Sequence, residues 1–259
     1  MPKTSSVSIV GSGNVATHLA QTLSQKGVLI HEVYSPNPKN AAQLAGSVDA
    51  LVKDDLDFGN SKTDIILVCT PDRTIREISR LINVPQSMIL VHTSGTTGLD
   101  DLSPTSRAGV LYPLQTFSKF RPVNLNDLPI FVEGTDSRTE QAIFQLASVL
   151  SSKVTIMNSE DRRHLHLSAV FASNFVNSLL TISEALLAQI NLDLDILRPL
   201  VIETVNKAYD LGPKDSQTGP ALRNDQTVLE VHEKLLRDHL PEAWNLYQDH
   251  SKIITQLKS

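Results

Sequence analysis

Gly11-Ser12-Gly13-Asn14-Val15-Ala16 fits G-x-G-x-x-[G/A], a spacing suited to holding two linked phosphates. Each position has a physical task. Gly11 permits a tight turn, Gly13 lets the backbone approach a diphosphate, and small Ala16 lets the next helix pack closely on its strand. Ser12, Asn14 and Val15 complete a helix start whose free N–H groups and positive dipole end favour an anion. The plain alternative is a glycine turn of any α/β protein. Context favours the nucleotide, because strand, turn, helix and second strand follow in order.

The tip of the second strand bears on which dinucleotide binds. An Asp or Glu there would bond the ribose 2′-hydroxyl of NAD. Here the tip reads Ser35-Pro36-Asn37 with Lys39 close behind, and Glu32 falls too early in the strand. No carboxylate repels a 2′-phosphate, so Ser35, Asn37 and Lys39 favour NADP. NAD stays open, and an ordinary polar turn is the bland reading. Val68-Cys69-Thr70-Pro71-Asp72 and His92-Thr93-Ser94-Gly95 end two further strands at the carboxyl edge, where ligands of open parallel sheets bind. Cys69, Thr70, Pro71 and Thr93 are expected to hold the nicotinamide half. Cys69 is the chain's one cysteine; in an apolar strand it reads as a small core residue, not a nucleophile.

Hydride transfer to C=O or C=N needs a proton donor and groups that orient the substrate. Histidine has the suitable acidity. At 100° per residue, His166, Ser173, Asn177 and Glu184 fall within about 20° of one line on a helix, with Asn174 on its flank. That stripe either faces a cleft or is the solvated side. Ser94, beside His92 and Thr93, competes as proton donor, its alternative being a turn held by hydroxyl–backbone bonds. Tyr112 and Gln115 are candidate substrate contacts, although Tyr112 also suits a core position. Arg223 could clamp a carboxylate or pair with Asp225. His18 reads as a helix residue, and His232, His239 and His250 as surface. No His/Asp/Glu spacing indicates a metal.

The elements that must position these groups alternate through the first 158 residues. Strands are expected at Val7–Val10, His31–Tyr34, Asp64–Cys69, Ser87–Val91, Gly109–Leu111, Pro129–Val132 and Val154–Met157. Helices are expected at Asn14–Lys26, Ala41–Ala45, Pro71–Leu81 and Arg138–Leu150. That alternation predicts right-handed crossovers and a mostly parallel sheet. From His164 to Ile190 there is no Pro or Gly, which reads as one long helix, followed by helices at Arg198–Asp210, Val228–His239 and Trp244–Leu257. The expected division is therefore 1–158, a Rossmann-type α/β domain, and 159–259, an all-helical one.

The 259 residues are 41% hydrophobic and 20% charged, which excludes a wholly disordered chain or a multi-span membrane protein. No unbroken apolar run reaches 18 residues, so no membrane partner is expected. A net charge of −5 argues against nucleic acid. A single thiol and an N-terminus without a hydrophobic leader suit the cytoplasm.

Five segments carry a resemblance: Ile9–Ala16, Val91–Gly95, Tyr112–Ser118, His164–Phe175 and Gln217–Asp225. On these the chain resembles the NADP oxidoreductases with a Rossmann-like first domain and an uncharacterised helical second domain. Those are relatives of pyrroline-5-carboxylate reductase and of the 6-phosphogluconate and hydroxyisobutyrate dehydrogenases. The resemblance implies NADP in the first domain, a 6-phosphogluconate-dehydrogenase-like helical domain, a small-molecule pocket between domains, and a homodimer formed through the helical part. Family members often carry an arginine after the second strand, where Pro36-Asn37 stand here, and this leaves NAD open. The related dehydrogenases place a catalytic Lys and a downstream Asn on the long helix. With no Lys in this stretch, His166 as proton donor and Asn174 as substrate orienter are the nearest counterparts. The expected activity is hydride transfer between NADP and a small carbonyl or imine. The rival is a non-catalytic NADP-binding regulatory or scaffold protein, and reduction by a deazaflavin ranks last.

Overall fold

The computed structural model describes residues 6–102 and 107–257 and divides into two compact units at Val170/Phe171. Met1–Ser5, which bear on the leader expectation, lie outside the described residues.

The first unit is built on eight strands: β1 Val7–Val10, β2 Ile30–Tyr34, β3 Leu51–Lys53, β4 Ile65–Val68, β5 Ile89–His92, β6 Ala108–Pro113, β7 Ile130–Gly134 and β8 Val154–Ile156. Its helices are α1 Asn14–Gln25, α2 Pro38–Ser47, α3 Asp72–Leu81, α4 Ser137–Leu150 and α5 Ser159–Ala169. The sheet order is β3-β2-β1-β4-β5-β6-β7-β8, parallel throughout except for the antiparallel β6–β7 pair. The chain leaves β1 on the β2 side and returns on the β4 side, so the switch point lies between β1 and β4.

Alternation along the central strands builds two cores. Ile65, Leu67, Ile89 and Val91 face the side holding Leu19 and Leu23 of α1 and Ile143 and Leu146 of α4. Ile66, Val68 and Leu90 face Phe58 and Ile75 of α3. Both faces are covered, which explains the unbroken apolar runs of these strands. β3 was not expected, because three mostly exposed edge residues carry no periodicity.

The second unit is helical: α6 Val176–Ala188, α7 Arg198–Leu211, the single turn α8 Pro220–Arg223, α9 Gln226–His239 and α10 Trp244–Gln256. Helical structure runs from Ser159 to Ala188, but Val170–Phe175 form wide i→i+5 turns. The 100°-per-residue line drawn from His166 to Glu184 therefore does not hold through this stretch. The compact-unit division also falls later than the expected Asn158. The reason is local: α5 is tied into the first unit by Arg162, which is 1% exposed and paired with Glu133 of β7.

Ser159–Ala188 contains an 18-residue window of mean hydropathy 1.3, long and apolar enough to cross a bilayer by composition, although its Ser, Thr and Asn residues break any pure apolar run. In the second unit α6, α9 and α10 also border a cavity of about 750 Å³ lined by Leu179, Ile182, Leu186, Leu235 and Leu246. His232 on its wall is half-buried, not a surface residue, and its Nδ1 lies 2.9 Å from the Tyr247 hydroxyl.

Candidate active site

At the end of β1, Gly11 has φ +115°, and a Cβ there would lie 2.5 Å from the Cys69 carbonyl oxygen at the end of β4. Glycine is required on both counts. Gly13 differs: its φ of −75° suits any residue, and a Cβ there would meet nothing within 4 Å. The space before α1 is open. Gly13 supplies no side-chain cap, and the helix ladder begins with Thr17 N–H donating to the Gly13 carbonyl at 3.0 Å. The amides of Asn14, Val15 and Ala16 thus have no partner within the helix. The Thr70 hydroxyl is buried and has no partner among the described residues, its methyl 3.3 Å from the Cβ position on Gly11. An open helix start, unclaimed amides and an orphaned hydroxyl at the switch point fit a dinucleotide diphosphate.

The neighbouring strand tips frame this cradle. The Ser12 and Ser35 hydroxyls meet at 2.7 Å, joining the ends of β1 and β2. The Asn37 side-chain oxygen caps α2 by accepting from the Lys39 and Asn40 amides at 3.0 and 3.3 Å, which leaves its NH₂ group as donor. Glu32 is engaged inside the sheet by the Ser8 and Ser61 hydroxyls. Asn14 Nδ2 donates to the Phe117 carbonyl at 2.9 Å, and His18 Nε2 lies 2.9 Å from the Ser118 carbonyl oxygen. Together they hold the loop after β6 against α1. His18 is buried, so its role goes beyond decorating a helix.

Burial pushes the Cys69 thiol up to about 12, against a hydrogen bond from Thr93 that favours the thiolate. The thiol is a core group, as expected. Pro71 sits just before α3, and the first residue of that helix, Asp72, accepts from the Thr96 hydroxyl at 2.7 Å. His92 is fully buried; desolvation first, then the Arg162 charge, hold its imidazole down at about 4. It is neutral, with Nδ1 accepting from the Ser94 amide at 3.1 Å. Ser94 Oγ accepts from the Thr96 and Thr97 amides at 3.1 and 3.0 Å. This hydroxyl closes a turn, the bland alternative foreseen for it.

At the end of β6 the Tyr112 hydroxyl lies 2.9 Å from Nδ1 of His166 on α5, the rings edge to face with centroids 5.9 Å apart. Tyr112 is 8% exposed, and its phenol is raised above the usual range by desolvation and then by the Asp72 carboxylate. His166 is half-buried. A buried phenol backed by an imidazole that reaches solvent can pass a proton inward. Gln115 is exposed and folds back, its Oε1 accepting from the Thr116 amide at 2.8 Å.

Asn174 and Arg223 belong to the second unit. Arg223 is exposed, and Asp225 caps α9 by accepting from the Val228 amide at 3.4 Å. Among the described residues Arg223 and Asp225 form no ion pair, so that expected pairing is not made. Described residues contain no cluster of three or more metal-ligating side chains.

A mostly parallel sheet with an open glycine cradle at its switch point, and a tyrosine–histidine hydrogen bond on the same edge, suits a dinucleotide-dependent oxidoreductase. Residues 6–95 match the family model described as NADP oxidoreductase, coenzyme F420-dependent, and residues 128–254 match a domain of unknown function, DUF2520. No curated protein sequence matches the chain. A Bacteroides fragilis protein, provisionally assigned as an NADP oxidoreductase, is similar in structure at TM-score 0.88. It is 35% identical, over 97% of this chain and 98% of that one. The fold is shared with a reductive aminase of Aspergillus terreus in complex with NADPH and ethyl-5-oxohexanoate (TM-score 0.73, 14% identity, 98% of each chain covered). It is shared as well with a pyrroline-5-carboxylate reductase of Coxiella burnetii (TM-score 0.56, 13% identity, 98% and 99% covered). The chain belongs to the NADP oxidoreductase family whose nucleotide-binding domain is followed by DUF2520, and NADP is that family's cofactor.

Proposed function

We propose that this enzyme reduces a small carbonyl or imine, with Tyr112 and His166 delivering the proton. The observation that carries the reading is the 2.9 Å Tyr112–His166 contact on the sheet edge that also bears the open Gly11–Gly13 cradle. NADPH bound there would supply the hydride. The amides opening α1 and the Thr70 hydroxyl hold the diphosphate side, and the NH₂ of Asn37 with Lys39 receives the 2′-phosphate. The Tyr112 hydroxyl donates to the oxygen or nitrogen where negative charge develops, and His166 Nδ1 restores that proton from solvent. Gln115, on the loop that follows Tyr112, is the substrate contact of the first unit in this reading. The aminase and reductase among the structural neighbours act on the same classes of bond, which supports the choice of substrate.

The test is NADPH oxidation across cyclic imines and short keto acids, with H166A and Y112F beside the wild type. Turnover lost in both variants is expected, and unchanged turnover in H166A would dismiss the proton role. A second reading, a regulatory NADP-binding protein, is favoured by the absence of any lysine from Ser159 to Ala188. Tight NADPH binding with no turnover across the panel would select it.

The unpartnered apolar residues of the helical unit, among them Leu200 at 63%, Ile202 at 53% and Tyr209 at 87% exposure, support a homodimer. Analytical ultracentrifugation tests that. A cytoplasmic setting agrees with the single buried thiol.

A further inference from the structure

Among the described residues of the first unit the largest fully buried side chain is charged. Arg162 stands one helical turn before His166 on α5. Its Nη1 donates to Glu133 Oε2 of β7 at 2.5 Å, and its Nη2 donates to the Thr97 carbonyl at 2.6 Å and to Ser159 Oγ at 3.1 Å. Glu133 in turn accepts from the Ser159 amide and hydroxyl at 3.0 and 2.6 Å. Three segments meet on one guanidinium: β7, the first turn of α5, and the Ser94–Gly98 turn that follows β5. A buried ion pair is weak evidence for stability, since apolar groups of similar volume often do as well. Arg162 Nε even lacks a partner among the described residues. What the planar fork adds is fixed geometry.

The Tyr112–His166 contact lies one helical turn from this guanidinium. Positions four apart share a helix face, so Arg162 sets the face from which His166 projects. The turn it holds also contains Gly95, where a Cβ would strike His166 Nδ1 at 2.5 Å. Turn and imidazole already touch, so slack in either separates His166 from Tyr112.

We infer that Arg162 is a positioning residue: by clamping β7, α5 and the Ser94–Gly98 turn together it holds His166 Nδ1 in hydrogen bond with the Tyr112 hydroxyl. Its catalytic consequence rests on the proton-donor reading of that pair, but the clamp can be read without turnover. The experiment is nitrogen-15 NMR of histidine-labelled full-length protein, with H166A assigning the resonance and Y112F marking the Nδ1 shift without the bond. In R162M the His166 Nδ1 resonance is expected to move at least halfway to its Y112F position, and R162K to recover part of that displacement. With the best substrate of the panel, kcat falls about ten- to a hundred-fold while KM for NADPH stays within about two-fold. Should R162M fail to fold, R162M/E133L replaces both charges with apolar groups and is expected to show the same displaced resonance. An unmoved Nδ1 resonance in whichever of these variants folds overturns the clamp. H166A and Y112F turning over at the wild-type rate would instead remove the proton-donor reading, leaving the resonance to decide the clamp alone.

Discussion

Gly95 and His166 touch: a single methyl added at Gly95 would lie 2.5 Å from the imidazole nitrogen that meets the Tyr112 hydroxyl. No real Cβ contact is that short, so the imidazole must move. G95A is expected to leave NADPH binding within about two-fold and to lower kcat about ten-fold or more. Steady-state kinetics with separate cofactor titration checks this. Equal losses in cofactor binding and kcat would show that the turn, not the histidine, was disturbed.

The two glycines of the cradle should separate. At Gly11 an alanine meets both a positive φ and the Cys69 carbonyl, so G11A costs about 2–4 kcal/mol in urea unfolding. At Gly13 an alanine meets neither, and G13A holds stability within about 1 kcal/mol of wild type. It nevertheless weakens NADPH about ten-fold or more, because the methyl enters space reserved for phosphate. Full affinity in G13A would move the diphosphate elsewhere.

Local signals carried much of this site. The glycine loop, the doubly covered strands and the ends of β4 and β5 are legible because a turn and its flanking periodicities lie within a few residues. Tyr112 and His166 were each singled out, but their contact joins a strand end to a helix 54 residues on, and no local pattern reports that separation. Arg162 carries no local signal, because a buried arginine has no signature distinct from the acidic and basic residues around it, and its partner Glu133 sits on strand β7, 29 residues earlier. The helix stripe failed because composition does not announce wide turns such as Val170–Phe175. Asn14 and His18 were placed on α1, yet nothing nearby in sequence told that the loop at Phe117 and Ser118 would return to them.

The proposed 2′-phosphate site is at the start of α2. Lys39 is exposed there, with the Asn37 NH₂ beside it. K39A is expected to weaken NADPH by about 1 kcal/mol, roughly five-fold, and to leave NADH unchanged. The loss should shrink with added salt, as an exposed charge contact does. Equal effects on both nucleotides, measured by fluorescence titration, would show that Lys39 does not meet the 2′-phosphate.

His92 makes the fold sensitive to mild acid. Its imidazole titrates at about 4 when folded and near 6.5 when unfolded, so above pH 6.5 it is neutral in both states and its contribution to stability is complete. As pH falls below 6.5 the unfolded chain takes up a proton that the buried ring refuses. Stability is lost progressively until about pH 4, where the folded ring also protonates. Desolvation raises the Asp101 carboxyl, but the hydrogen bonds from Arg76 and the Gly98 amide outweigh it and hold the group below 3.8, so its own loss starts about one pH unit above that value and meets only the acid end of the histidine window. Between pH 7 and 4.5 the histidine alone is therefore worth about 2–3 kcal/mol. Asparagine at this position keeps an acceptor for the Ser94 amide and cannot titrate. Urea unfolding of H92N at the two pH values should thus show a smaller drop than wild type by that amount, and parallel drops would mean that the ring is already charged in the folded protein.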